Sequence, residues 1–127
     1  MNQEALIKAS MLENQIKETE QHIEFISSQI IELKALEGNI SSLKENKEIL
    51  SPLGKGIFLK AKQEEKNLFV SIGAGIIIKK SPEKTIEAIK TQIERLSSLH
   101  AQLSSQIQSE YMQMNSIIEE IEKSKEN

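Results

Sequence analysis

From residue 2 to about residue 46, seam positions step alternately by four and three. They fall at Ala5, Ala9, Leu12, Ile16, Thr19, Ile23, Ile26, Ile30, Leu33, Leu36 or Glu37, and Ile40. Mostly polar residues fill the gaps. A helix with that spacing carries one continuous apolar seam, the mark of a coiled coil. The stretch holds no Pro and a single Gly, Gly38. At ~1.5 Å per residue such a helix runs on the order of 65 Å. A second run of the same kind opens at Ser81-Pro82-Glu83. Ser81 suits an N-cap and Pro82 the first helical position. Glu83 and Glu87 sit near the positive end of the helix. The second seam reads Ile86, Ile89, Ile93, Leu96, His100, Leu103, Ile107, Glu110, Met114, Ile117 and Ile121.

A lone helix with an apolar seam needs a partner, and each run can serve the other. In an antiparallel pair, the residue numbers of facing positions add to a near-constant. Leu12 with Ile117, Ile16 with Met114, Ile23 with Ile107, Ile26 with Leu103, Leu33 with Leu96 and Ile40 with Ile89 all add to 129 or 130. The polar interruptions obey the same register, so Thr19 meets Glu110 and His100 meets Ile30. Leu36 meets Ile93 if the first helix shifts its phase near Gly38. A polar layer inside a seam fixes register at some cost in stability. The chain termini come together at one end of the coil.

Between the runs, Glu48 to Lys80 follows a different period. It holds four of the five glycines and a dense β-branched run. Four short strands are predicted: Glu48–Leu53, Ile57–Gln63, Leu68–Ile72 and Ile76–Lys80. Gly54-Lys55-Gly56 and Gly73-Ala74-Gly75 turn two hairpins. Ile57, Leu59 and Ala61 share one face, as do Leu68, Val70 and Ile72. Two hairpins cannot close a sheet, and an isolated hairpin is marginal in water. Their free edges invite other chains. Strands from several subunits would close a β-barrel over Ile57, Leu59, Leu68, Val70, Ile72, Ile76 and Ile78. The fold is therefore mostly α: a long antiparallel two-helix coiled coil joined by two central hairpins that form an intersubunit barrel. Its parts are residues 1–46, 47–81 and 82–127.

Composition narrows the function. Aromatics are 3%, Cys and Trp are absent, and the net charge is −3. Lysines alternate with glutamates, so there is no basic stripe for nucleic acid. No apolar run nears the ~20 residues that span a bilayer, and MNQEALIKAS lacks the layout of a secretory signal. A soluble intracellular protein is the expectation. His22 and His100 stand apart without ligand spacing, so no metal is expected. Gly73-Ala74-Gly75 precedes a strand rather than a helix, unlike a phosphate loop. No nucleophile has a base partner, so no enzyme is expected.

The segment SPLGKGIFLKAKQEEKNLFVSIGAGIIIKKSPEKTIEAIKTQIERL is similar to the central signature of the prefoldin family, α class. The pieces that carry this are Pro52-Leu53-Gly54-Lys55-Gly56, Phe58-Leu59-Lys60-Ala61 and Val70-Ser71-Ile72-Gly73-Ala74-Gly75. Two hairpins rather than one mark the α class. A departure is Ile76-Ile77, where the family often places an aromatic. The resemblance implies an α2β4 hexamer with β-class subunits around a double β-barrel. It implies an ATP-independent chaperone in the cytoplasm that holds unfolded clients at the coil ends. Clients pass to a group II chaperonin, and no cofactor is used. The other reading is a coiled-coil scaffold or tether, which would need no barrel-forming module.

The coil ends fit the client role. Leu6, Ile7 and Met11 lie beside Ala5 and Leu12 on the first helix. Tyr111, Met112 and Ile118 lie beside Met114, Ile117 and Ile121 on the second. A two-helix coil buries one stripe and leaves this wider band uncovered, and exposed apolar patches mark interaction sites. Thioethers adapt to varied shapes, and Met1 would add another. Packing across a frayed pair explains the same residues without a client. The charged tail from Glu119 to Asn127 reads as a docking aid or as a solvated helix end.

Overall fold

The computed structural model describes residues 3–43 and 48–126. The order is α1 (Gln3–Ser41), β1 (Glu48–Gly54), β2 (Ile57–Lys62), β3 (Leu68–Gly73), β4 (Ile76–Lys80) and α2 (Pro82–Glu126). Two long helices flank two hairpins, as the change of hydrophobic period requires. The chain divides into a terminal unit, Met1–Ile31 with Glu94–Asn127, and a central unit, Glu32–Ile93.

In the terminal unit the buried residues are Ala5, Leu12, Ile16, Thr19 and Ile26 of α1, with Leu103 and Glu110 of α2. Ile23, Ile30, His100, Ile107, Met114, Ile117 and Ile121 are half-buried. All of these are seam positions, and Ser27, Gln29, Leu99 and Ser104 beside the seam are half-buried as well. Thr19 bonds Glu110, and one cleft brings Glu13 and Ile16 beside Ile118 and Met114, so the helices run antiparallel in the expected register. No described side chain is fully buried, as a core one residue wide dictates.

In the central unit Ile40 and Ile89 are buried. The seam keeps its phase through Gly38, so of the two candidates Glu37 rather than Leu36 takes the seam position. Glu37 is the half-buried residue, reaching Lys90 at 3.8 Å, and Leu36 is exposed. Leu36 instead lines a groove of about 520 Å³ with Leu33, Ile40, Ala88, Ile89 and the β3 residues Leu68 and Val70. The first helix also stops short of residue 46. The Leu43 N–H bonds the Ile40 carbonyl and the Ser42 hydroxyl bonds that of Asn39. Such i→i−3 bonds end an α ladder. Residues 44–46 of the expected helix lie outside the described residues. At the start of α2 the Ser81 Oγ accepts the Lys84 N–H at 3.2 Å, which is the expected cap.

Each hairpin is its own two-stranded antiparallel sheet. The two are built alike. Register slips between Pro52 and Gly54 in one, and between Ser71 and Gly73 in the other. A bulge therefore precedes each turn. The turn pairs Lys55-Gly56 and Ala74-Gly75 have φ of 49° and 78°, and of 53° and 74°. Both central residues at positive φ make a turn whose twist matches the strands. Gly54 and Gly73, at φ 127° and 100°, take a conformation that side chains avoid. The shared Gly-x-Gly-Ile is thus a repeat of one device at Gly54 and Gly73.

Candidate functional site

Two surfaces concentrate apolar residues that the chain does not cover. The first is the hairpin pair. Ile57, Leu59, Ile72, Ile76 and Ile78 are exposed, while Leu68 and Val70 are half-buried in the groove beside the helices. Residues from the opposite faces are exposed as well: Leu50, Phe58, Phe69 and Ile77. Ile49, on the face of Leu59 and Ala61, and Leu53, at the bulge, are also exposed. Apart from the stretch of β3 beside the helices, both faces of the hairpins carry exposed apolar residues. Beyond the backbone ladders and the groove at β3, surface polar contacts brace the hairpins. Lys60 reaches Glu48 at 3.2 Å, and Lys79 reaches Glu65 at 2.9 Å while standing 5.7 Å from the Phe69 ring centroid. Exposed ion pairs of this kind add little.

The second surface lies on the terminal unit. Leu6, Ile7, Met11, Met112 and Ile118 are exposed, with Met11 at 67% and Met112 at 70%. Met114, Ile117 and Ile121 are half-buried in the seam beside them. Met1 lies outside the described residues. Phe25 and Ile31, also exposed, carry no seam signal and do not join this group in the sequence. Ile7 and Met11 stand four apart and so share one helix face.

Inside the seam, Thr19, Gln106 and Glu110 form one polar layer. The Thr19 hydroxyl lies 2.7 Å from Glu110 Oε1 and 3.0 Å from the Gln15 carbonyl. It has one hydrogen, so it serves one of them at a time. Gln106 Nε2 donates to Glu110 Oε1 at 3.2 Å and to Thr19 Oγ1 at 3.3 Å. No buried side-chain polar atom of the described residues lacks a partner. On the flank of this layer the exposed Tyr111 hydroxyl donates to Glu20. That bond, then loss of solvation, then the Glu20 charge raise the Tyr111 pKa above its ordinary value of 10.0.

The described residues hold no group of three His, Cys, Asp or Glu that could ligate a metal. None of their helices is long and apolar enough to cross a membrane.

Comparison with known proteins follows the same line. A family model described as Prefoldin subunit matches residues 12–127. The prefoldin subunit alpha of Thermofilum pendens is 38% identical over 93 residues, 72% of this chain and 68% of that relative. That of Methanococcus vannielii is 31% identical over 111 residues, 86% of this chain and 75% of the relative. The fold is similar to a chain in the cryo-EM structure of filamentous PFD from Methanocaldococcus jannaschii. There the TM-score is 0.70 at 22% identity, covering 94% of this chain and 99% of that one.

Proposed function

This chain belongs to the prefoldin family, and we propose that it works as the α-class subunit of an ATP-independent holdase. The observation that carries the reading is the surplus of exposed apolar residues on the terminal unit. Leu6, Ile7, Met11, Met112 and Ile118 stand in water beside a seam that is already closed. An unfolded polypeptide supplies the missing cover, and flexible thioethers accommodate many sequences. Met114, Ile117 and Ile121 join them when the coil end loosens.

The hairpins supply assembly. In this reading Ile57, Leu59, Leu68, Val70, Ile72, Ile76 and Ile78 are buried between subunits, in a hexamer of two α and four β chains. Gly54, Gly56, Gly73 and Gly75 shape the turns. Hand-over to a group II chaperonin and work in the cytoplasm, without nucleotide, cofactor or catalysis, come with the family. A scaffold or tether would not need a surplus of apolar residues at its ends. Residues 1–46 and 82–127 serve as the client arms and 47–81 as the assembly module.

The test is suppression of aggregation of a denatured model protein by the assembled oligomer without ATP. Protection is expected. Replacing Leu6, Ile7, Met11 and Met112 together by Ser should remove most of it while native mass spectrometry shows the oligomer unchanged. Full protection by that variant would refute the client surface.

A further inference from the structure

The terminal unit carries a strong charge bias that the whole chain conceals. It holds eleven glutamates against five lysines and arginines, a net charge of −6. The central unit holds eight against eleven, a net +3. The two add to the −3 of the chain. A net field of one sign raises the local concentration of opposite charge.

One feature of the terminal unit gives that bias an address. Leu6, Glu13 and Glu20 recur every seven residues on α1, and Tyr111 and Ile118 do so on α2. These rows flank the seam on the same side. The structure joins all of them but Leu6 in an open cleft of about 620 Å³ lined by Glu13, Ile16, Lys17, Glu20, Tyr111, Met114 and Ile118. Its floor is aliphatic and its rim carries two carboxylates. Lys17, one turn from each glutamate, offsets one of them, so the rim stays net negative. The Tyr111 hydroxyl donates to Glu20, which fixes the ring beside the carboxylate. A carboxylate that accepts one hydrogen bond has lone pairs left for more.

We propose that this cleft recognises the cationic side chains of unfolded clients, so that the holdase prefers segments combining apolar residues with Arg or Lys. The head group binds Glu13 and Glu20 and lies near the Tyr111 ring, and the aliphatic stem covers Met114 and Ile118. Long basic side chains bury their stems in this way. A carboxylate and an aromatic face together suit a guanidinium. This rests on the client reading of the terminal unit and adds a chemical class to it.

The experiment uses the assembled oligomer and three unfolded peptides of identical apolar content, bearing three Arg, three Gln or three Glu. Tyr111 is the only tyrosine of the chain, so 3-fluorotyrosine incorporated in this subunit gives one 19F signal inside the cleft. The Arg peptide should bind roughly fivefold to tenfold tighter than the Gln peptide at low salt, from two exposed charge contacts and one ring contact. The Glu peptide should bind weakest, and the preference should shrink at high salt. Only the Arg peptide should move the Tyr111 signal strongly. Glu13→Gln with Glu20→Gln should bring the Arg-to-Gln ratio close to one, whereas Glu94→Gln should keep it. Equal binding of the Arg and Gln peptides would overturn the proposal and leave the holdase reading intact. So would tight binding of the Arg peptide with an unmoved Tyr111 signal. If no peptide binds, the holdase reading fails and the proposal goes with it.

Discussion

Leu12 and Ile72 are both aliphatic and both lie on elements with a clear apolar row. Leu12 is 6% exposed and Ile72 is 58% exposed. The difference lies in where the partner is encoded. The row of α1 in the terminal unit has its complement in α2 of the same chain, Leu12 against Ile117 and Ile26 against Leu103. The row of β3 finds partial cover for Leu68 and Val70 beside the helices, while Ile72 and the β4 isoleucines stay open. The terminal unit can therefore close its row within its own chain, while most of the hairpin surface stays open.

The sharpest way to break that contrast is a charge on a hairpin. Ile72→Asp should do little to the isolated chain, because the site is already wet. In the oligomer the same carboxylate would be desolvated without a partner, at a cost of several kcal/mol. Native mass spectrometry should show the oligomer lost, with helical circular dichroism retained. An intact oligomer would show that the hairpins are not the interface. Leu12→Ala should do the opposite. It removes seam burial worth about 2–3 kcal/mol, so the thermal midpoint should fall with subunit stoichiometry unchanged.

The turns tie the two effects together. An added Cβ at Gly54 would meet nothing within 4 Å, so only its φ of 127° penalises Gly54→Ala. That conformation costs a side chain about 1–3 kcal/mol. Gly56, at φ 78°, is nearer the left-handed region and should tolerate Ala better. The urea midpoint of assembly should rank wild type above Gly56→Ala above Gly54→Ala.

Much of this was legible in the sequence. The antiparallel register followed from residue numbers alone, and the Thr19–Glu110 layer fell inside it because a seam defect on one helix needs a match on the other. The hairpins followed from the change of period and the Gly pairs. Other features had no local signal. The choice between Leu36 and Glu37 stayed open, since the β3 groove that takes Leu36 is a tertiary fact. The bulges before Gly54 and Gly73 were missed since alternation looks regular until backbone pairing is seen. The cleft at Tyr111 had no local signal, because Glu13 and Glu20 have the pattern of an ordinary solvated helix face and only the pairing of the helices sets them beside Tyr111 and Ile118.

The polar layer separates stability from register. Thr19→Val leaves the buried Glu110 with Gln106 as its remaining side-chain partner and should cost about 1–2 kcal/mol in chemical denaturation. Thr19→Val with Glu110→Leu should recover that loss or exceed it, since an apolar layer often matches a buried polar one in stability. Its defect should appear elsewhere. Isoleucines recur through both seams, so a slip of seven residues still sets Ile against apolar partners. The chain has no Cys, so a cysteine pair at positions 16 and 114 reports one register. Crosslinking should be near complete with the polar layer present and partial in the double variant.

The smallest effect is also the most local. The Glu20 carboxylate accepts the Tyr111 hydroxyl and raises the phenol pKa above 10.0. The protonated phenol is thus favoured by the fold. Whatever the bond contributes is fully present below the unfolded value and is lost as pH climbs through the raised one. Glu20→Gln replaces the anion with a neutral acceptor, removing the charge and weakening the hydrogen bond that holds the proton. Ultraviolet titration of the isolated chain, which has no Trp and one Tyr, should show the phenolate midpoint move down toward 10. A midpoint unchanged by Glu20→Gln would mean that the bond is not maintained in solution. The ring would then not be held beside the carboxylate, and the preference for cationic clients would have to come from Glu13 and Glu20 alone.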